Sequence, residues 1–238
     1  MWRQNRYCSP AWNEEDKCFI PEDWSVVRFS AQVRSIIDNI RANILDETVP
    51  IFVRGSLIEE RQPHPKSDID VLYIANQSQT NIFTHDIKLK SSRPLDINPY
   101  YTDVLEPRDY LLPLIHIRSF QIAGPYFERR PFDVTQTFYT HLWRQYRIDL
   151  MPPRLSATGL MRVMYLKHLF RSIGLVMHLQ GGRYSRDIRT CIAWLIGQEP
   201  ELGTLAEQIW MERTGVGEIW LRPLRDWVIF EYNQCFSD

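Results

Sequence analysis

Gly55-Ser56, followed after ten residues by Ser67-Asp68-Ile69-Asp70-Val71-Leu72-Tyr73-Ile74-Ala75, is the stretch on which the reading of this chain turns. From Asp68 to Ala75 the sequence is almost continuously apolar apart from two aspartates. Such a run reads as a strand at the centre of a sheet, covered on both faces. Alternate residues of a strand share a face, so Asp68 and Asp70 project together while Ile69 and Val71 enter the opposite side. Upstream, Pro50 to Val53 reads as a short strand ending at Arg54-Gly55-Ser56. Downstream, Pro94 to Tyr101 reads as a third strand, with Asp96 inside Leu95-Asp96-Ile97. A third carboxylate can thus converge on the first two from a neighbouring strand.

Around this centre strands and helices alternate. Pro21-Glu22-Asp23 opens a stretch to about Leu45 in which Val26, Val27, Phe29, Val33, Ile36, Ile37, Ile40 and Ile44 recur at helical spacing, predicting one amphipathic helix. A helix is expected near Arg108 to Ile115 and a short strand over Ser119 to Ala123. Beyond Gly124-Pro125 the pattern changes to long helices broken at Met151-Pro152-Pro153, Gly181-Gly182, Glu199-Pro200 and Gly215-Val216-Gly217. The expected fold class is α+β. A mixed sheet with flanking helices occupies residues 1–127, with an N-terminal extension over 1–20, and an all-α bundle occupies 128–238.

Composition bounds the function classes. With 44% hydrophobic and 13% aromatic residues, the 238-residue chain is globular rather than disordered. Its 28 basic and 29 acidic side chains nearly cancel, which excludes a protein devoted to coating nucleic acid or anionic membrane. Charges interrupt every apolar run well short of the ~20 residues a spanning helix needs, and the start has no secretory hydrophobic segment. A cytoplasmic protein without a membrane partner is expected. Cys8, Cys18, Cys191 and Cys235 show neither zinc-ligand spacing nor a disulfide framework, so free thiols are expected, and none of the six histidines is assigned to catalysis.

The chemistry rests on Asp68, Asp70 and Asp96. Carboxylates held together repel one another, and a hard divalent cation that prefers oxygen ligands takes up their charge, so the cluster implies Mg²⁺. Two such ions about 3.5–4 Å apart can stabilise both the attacking and the leaving oxygen of an in-line displacement. Asp68 and Asp70 are expected to bridge the metals, and Asp96 to hold the one nearest the acceptor and help take the proton of the attacking hydroxyl. Gly55-Ser56 follows a strand and can start a helix. Gly55 lets phosphates approach the backbone, and Ser56 with helix-start amides binds their oxygens.

Taken together, these residues resemble the signature of the DNA polymerase β superfamily of nucleotidyltransferases: Gly-Ser, then Asp-x-Asp on a strand, then a carboxylate on a later strand. From about Trp24 to about Trp194 the chain further resembles the aminoglycoside adenylyltransferases that modify streptomycin and spectinomycin. The matching features are Gly55-Ser56, Ser67-Asp68-Ile69-Asp70, Pro94-Leu95-Asp96-Ile97, Ile122-Ala123-Gly124-Pro125, Phe132-Asp133 opening a helix, and Arg186-Asp187 with Trp194. The third carboxylate of that family is a glutamate serving as base, where this chain has the shorter Asp96.

The resemblance implies a nucleotidyltransferase-fold sheet and Mg²⁺-dependent transfer of a nucleoside monophosphate, AMP from ATP or another nucleoside triphosphate. The acceptor would be a hydroxyl of a small molecule such as an aminoglycoside, an antibiotic-resistance activity. A toxin-type enzyme modifying tRNA or a protein is the alternative. Gly55, Ser56 and Ser67 would serve the nucleotide, and the resemblance also implies an arginine in a long helix and a basic residue past its end reaching the triphosphate. Arg171 and Arg186 fit these places, with Lys167 as rival for Arg171. Tyr100, Tyr101, Tyr126, Phe127, Phe138, Tyr139 and Trp143 are either acceptor-lining or core residues, and Glu128, Asp133 and Asp149 either meet a cationic acceptor or are ordinary surface charges.

Overall fold

A computed structural model describes residues 11–59, 68–84, 93–103 and 111–236. Its chain contacts form two compact units, one from Asn13 to Val134 and one from Thr135 onward that also takes in the segment around Trp12. The protein is of mixed α and β type, and no described helix is long and apolar enough to cross a membrane.

In the first unit the elements are β1 (Glu14–Glu15), β2 (Cys18–Phe19), α1 (Ala31–Arg41), β3 (Ile51–Arg54), α2 (Ser56–Glu59), β4 (Ile69–Ala75), β5 (Leu95–Tyr101), α3 (Leu111–Arg118), β6 (Ser119–Ala123) and β7 (Phe132–Asp133). Four of these strands make a mixed sheet in the order β5-β4-β3-β6. β4 and β5 run parallel, while β3 pairs antiparallel with β4 and β6. The odd-numbered residues Ile69, Val71 and Tyr73 of β4, with Ile51 and Val53 of β3, join one core with Val33, Ile36, Ile37 and Ile40 of α1 and Leu57 and Ile58 of α2. On the opposite face Phe52 and Leu72 are fully buried, and Phe52 meets Phe127 edge to face with ring centroids 5.4 Å apart. The continuous hydrophobicity of β4 therefore reflects cover on both faces.

The single helix expected from Pro21 to Leu45 is shorter. Asp23 accepts the Ser25 backbone N–H and caps a 3₁₀ turn over Trp24–Val26, the chain then extends at Val27, and α1 starts only after Ser30, whose Oγ accepts the Val33 N–H at 3.2 Å. Two caps interrupt the helical period. Phe29 instead turns onto Trp24 and Phe120, with ring centroids 6.1 and 4.9 Å away. Arg118 and Glu22 form a buried ion pair at 3.0 Å.

Phe132-Asp133 also departs from expectation. It does not open a helix but forms β7, antiparallel to β2, in a three-stranded sheet β1-β2-β7. The helix begins afterwards, where Thr135 caps Phe138.

The second unit comprises α4 (Gln136–Tyr146), β8 (Arg154–Leu155), α5 (Gly159–Leu179), α6 (Ile188–Gln198), α7 (Pro200–Met211), β9 (Ile219–Trp220) and α8 (Arg222–Gln234). It is helical but not all-α, because β8 and β9 pair antiparallel. Leu166, Leu169, Phe170, Ile173 and Val176 of α5 are fully buried at its centre. Among the described cysteines, Cys18, Cys191 and Cys235 are free thiols, as expected.

Candidate active site

Register brings the carboxylates together. β4 and β5 lie side by side with Asp70 opposite Asp96, and registered neighbours of a parallel pair carry their side chains on one face. Asp68, two residues before Asp70, reaches the same side from the end of the strand. One carboxylate oxygen from each of Asp68, Asp70 and Asp96 lies within 4.8 Å of the others, with Asp68 and Asp70 half-buried and Asp96 exposed. The aspartates thus sit at the start of β4 and β5, on the face that Leu72 shares further along β4.

Two neighbours on β3 define how Asp70 is held. Arg54 is its registered partner, and a guanidinium nitrogen, Nη2, lies 3.2 Å from Asp70 Oδ1. Both side chains are mostly shielded, with 15% and 18% of their surface exposed. Gly55 lies under the other oxygen: its φ is +74°, and a Cβ there would stand 2.3 Å from Asp70 Oδ2. Glycine is required twice over, for the left-handed backbone and for the space that the carboxylate fills. From Gly55 the chain turns directly into α2, the Ile58 N–H donating to the Gly55 carbonyl at 3.1 Å, and Ser56 takes the first helical position half-buried. Ser67 lies outside the described residues.

This donor set fits a hard divalent cation. Three carboxylate oxygens converge, and neither histidine nor cysteine joins them in the one such cluster among the described residues. An all-oxygen set suits Mg²⁺, Mn²⁺ or Ca²⁺ rather than zinc.

Arg171, Arg186 and Lys167 belong to the second unit. Arg171 and Lys167 lie on α5 and Arg186 follows its end, immediately before Asp187, which caps α6 by accepting the Thr190 N–H at 2.8 Å. Both arginines act on the same neighbours. His168 is pushed down to about 4, first by burial and then by the charges of Arg171 and Arg186, with Lys167 contributing least. The Tyr184 phenol is raised chiefly by burial, and both arginines work against that rise. The structure therefore gathers Asp68, Asp70, Asp96, Gly55 and Arg54 in the first unit, and Arg171 and Arg186 around His168 and Tyr184 in the second.

Several other candidates resolve into packing. Tyr100, Phe138 and Trp143 are buried, and Trp143 stacks on Tyr232 with centroids 3.9 Å apart while its indole N–H donates to Asp149 at 3.0 Å. Asp133 accepts the Cys18 thiol, and Glu128 pairs with Arg130 at 2.6 Å. Tyr126 is exposed. Arg54 is the site residue that sequence reasoning passed over. Its signal was a basic residue at the end of a strand directly before Gly-Ser, but only the pairing register sets it against Asp70.

No known protein family model matches this chain, and no curated protein matches it either.

Proposed function

We propose that the chain is a Mg²⁺-dependent nucleotidyltransferase, with a first unit of the polymerase β type, that moves a nucleoside monophosphate from a nucleoside triphosphate, ATP first, onto a hydroxyl of a small-molecule acceptor such as an aminoglycoside. The observation that carries this reading is the meeting of Asp68, Asp70 and Asp96 within 4.8 Å at the start of the paired strands β4 and β5, where Gly55 makes room for one oxygen of Asp70. Three carboxylates held this close repel one another, Arg54 offsets part of that charge at Asp70, and a divalent cation would take up the rest. Asp68, Asp70 and Asp96 are the residues that would hold Mg²⁺. When bound, the metal would supply positive charge to the triphosphate and to the attacking oxygen.

The protein's own part is positioning and proton transfer. The acceptor hydroxyl oxygen forms a bond to the α-phosphorus, the bond from that phosphorus to the pyrophosphate oxygen breaks, and pyrophosphate leaves with the electron pair. Asp96, the exposed member of the triad, is open to solvent and to an acceptor, which suits it to receive the hydroxyl proton. Arg54 holds one oxygen of Asp70 and Gly55 leaves room for the other, so that the carboxylate is oriented before substrate arrives. Ser56 and Ser67 are assigned to phosphate oxygens. Planar guanidinium groups donate to phosphate in pairs, and within the second unit Arg171 and Arg186 share the neighbourhood of His168.

Consumption of ATP, GTP, CTP and UTP against a panel of aminoglycosides, tRNA and lysate protein tests the proposal. Modification of an aminoglycoside supports the small-molecule reading. Label passing only to tRNA or protein replaces it with the toxin-type enzyme, and consumption of no nucleotide removes both.

A further inference from the structure

Arg54 is a cation already in place at the carboxylate cluster. Its Nη2 lies 3.2 Å from Asp70 Oδ1, it is Asp70's registered partner across β3 and β4, and its side chain is only 15% exposed. Its Nε is buried with no hydrogen-bond partner among the described residues. A guanidinium stays charged at any ordinary pH, so this counter-charge cannot be titrated away. The other oxygen of the same carboxylate rests over Gly55. Asp70 thus carries a positive partner on one oxygen, in an arrangement that a metal ion would have to share.

We infer that Arg54 is a positioning residue that acts as an internal counter-cation: it neutralises part of the triad before metal arrives and makes the free divalent ion a poor ligand unless a triphosphate comes with it. The inference rests on the triad being the metal site proposed above. Like charges repel, so a fixed guanidinium against one of three ligands weakens binding of a bare divalent ion. A triphosphate reverses that balance, because its oxygens add both metal ligands and negative charge next to Arg54. Metal and nucleotide then bind with strong mutual dependence, which is a coupling between two ligands that must be reciprocal. The contact of Arg54 with Asp70 offsets part of the repulsion within the triad.

The test is Mn²⁺ affinity of the full chain, measured by titration calorimetry with and without a non-hydrolysable ATP analogue. Arg54→Gln removes the charge, and Arg54→Met keeps apolar bulk in the same space should the glutamine variant not fold. The expected result is Mn²⁺ binding without nucleotide about tenfold tighter than wild type, the size that a shielded ion pair worth somewhat over 1 kcal/mol gives. Nucleotide should then enhance Mn²⁺ binding less in these variants than in wild type. Arg54→Lys, which retains the charge, should stay within about threefold of wild type on the same argument. Unchanged or weaker Mn²⁺ binding in the neutral variants overturns the counter-cation role while leaving the metal site standing. Absence of Mn²⁺ binding from wild type even with nucleotide overturns the metal site and this inference together.

Discussion

Gly55→Ala separates the stability of the fold from the competence of the site. The added Cβ would stand 2.3 Å from Asp70 Oδ2, and ordinary contact begins at 3.4 Å, so the carboxylate must retreat by about 1 Å. The neighbour that must move is the far end of a side chain, which can rotate. The fold therefore loses little beyond placing alanine at φ +74°, a cost of about 1–2 kcal/mol. Function loses far more: a misplacement of about 1 Å at a reacting group can cost on the order of 10²-fold in rate. Urea unfolding should show a modest midpoint shift at unchanged slope, while nucleotide transfer under the same conditions falls at least about a hundredfold. Gly124→Ala is the matching control. Its φ is +82° and its Cβ would meet the Val49 carbonyl oxygen at 1.9 Å, a backbone atom that cannot swing away, so it should destabilise the first unit more than Gly55→Ala does. A Gly55→Ala protein that folds normally and keeps both turnover and metal affinity would refute the placement of Asp70 in the site.

Three further outcomes follow from the geometry. Asp96→Asn should leave triphosphate affinity largely intact while kcat falls by at least about 10²–10⁴-fold, the range of a lost general base, and Asp96→Glu should preserve transfer to an aminoglycoside if the longer carboxylate of the resembling family suits the same acceptor; steady-state kinetics decide both. Glu22→Gln removes the carboxylate that lies 3.0 Å from the buried Arg118 and should cost about 1–3 kcal/mol in urea unfolding of the first unit. His168 is held down to about 4 from an ordinary 6.5, so the unfolded chain binds its proton first and stability falls as pH drops from about 6.5 towards 4; His168→Gln should flatten that slope in thermal melts across this window.

The central sheet was readable in the sequence because β3, β4, β5 and β6 carry their own period and sit between clear breaks. The strands observed over Ile51–Arg54, Ile69–Ala75, Leu95–Tyr101 and Ser119–Ala123 fall where alternation and continuous hydrophobicity placed them. What escaped was decided by local polar competition or by pairing between distant segments. Ser30 and Asp23 divided one helical period into a 3₁₀ turn and α1, and the aromatic contacts of Phe29 with Trp24 and Phe120 hold it away from the helix. Phe132-Asp133 became a strand because β2, more than a hundred residues earlier, offers it an edge. The carboxylates were visible as residue types at strand spacing. Their convergence needs the parallel register of Asp70 with Asp96, and the presence of Arg54 needs the antiparallel register of β3 with β4. No property of a single segment encodes either register.

The central claim is transfer of a nucleoside monophosphate by the triad of Asp68, Asp70 and Asp96. Its most direct test is to follow α-phosphate label from each of the four nucleoside triphosphates in the presence of Mg²⁺ and the acceptor panel, for wild type and for Asp70→Asn side by side. The account predicts that wild type moves label from ATP to an acceptor with equimolar release of pyrophosphate, and that chelation of the metal or Asp70→Asn abolishes transfer while the protein remains folded. Transfer of label by Asp70→Asn at the wild-type rate, or a folded wild-type protein that transfers none from any of the four nucleotides, would contradict it.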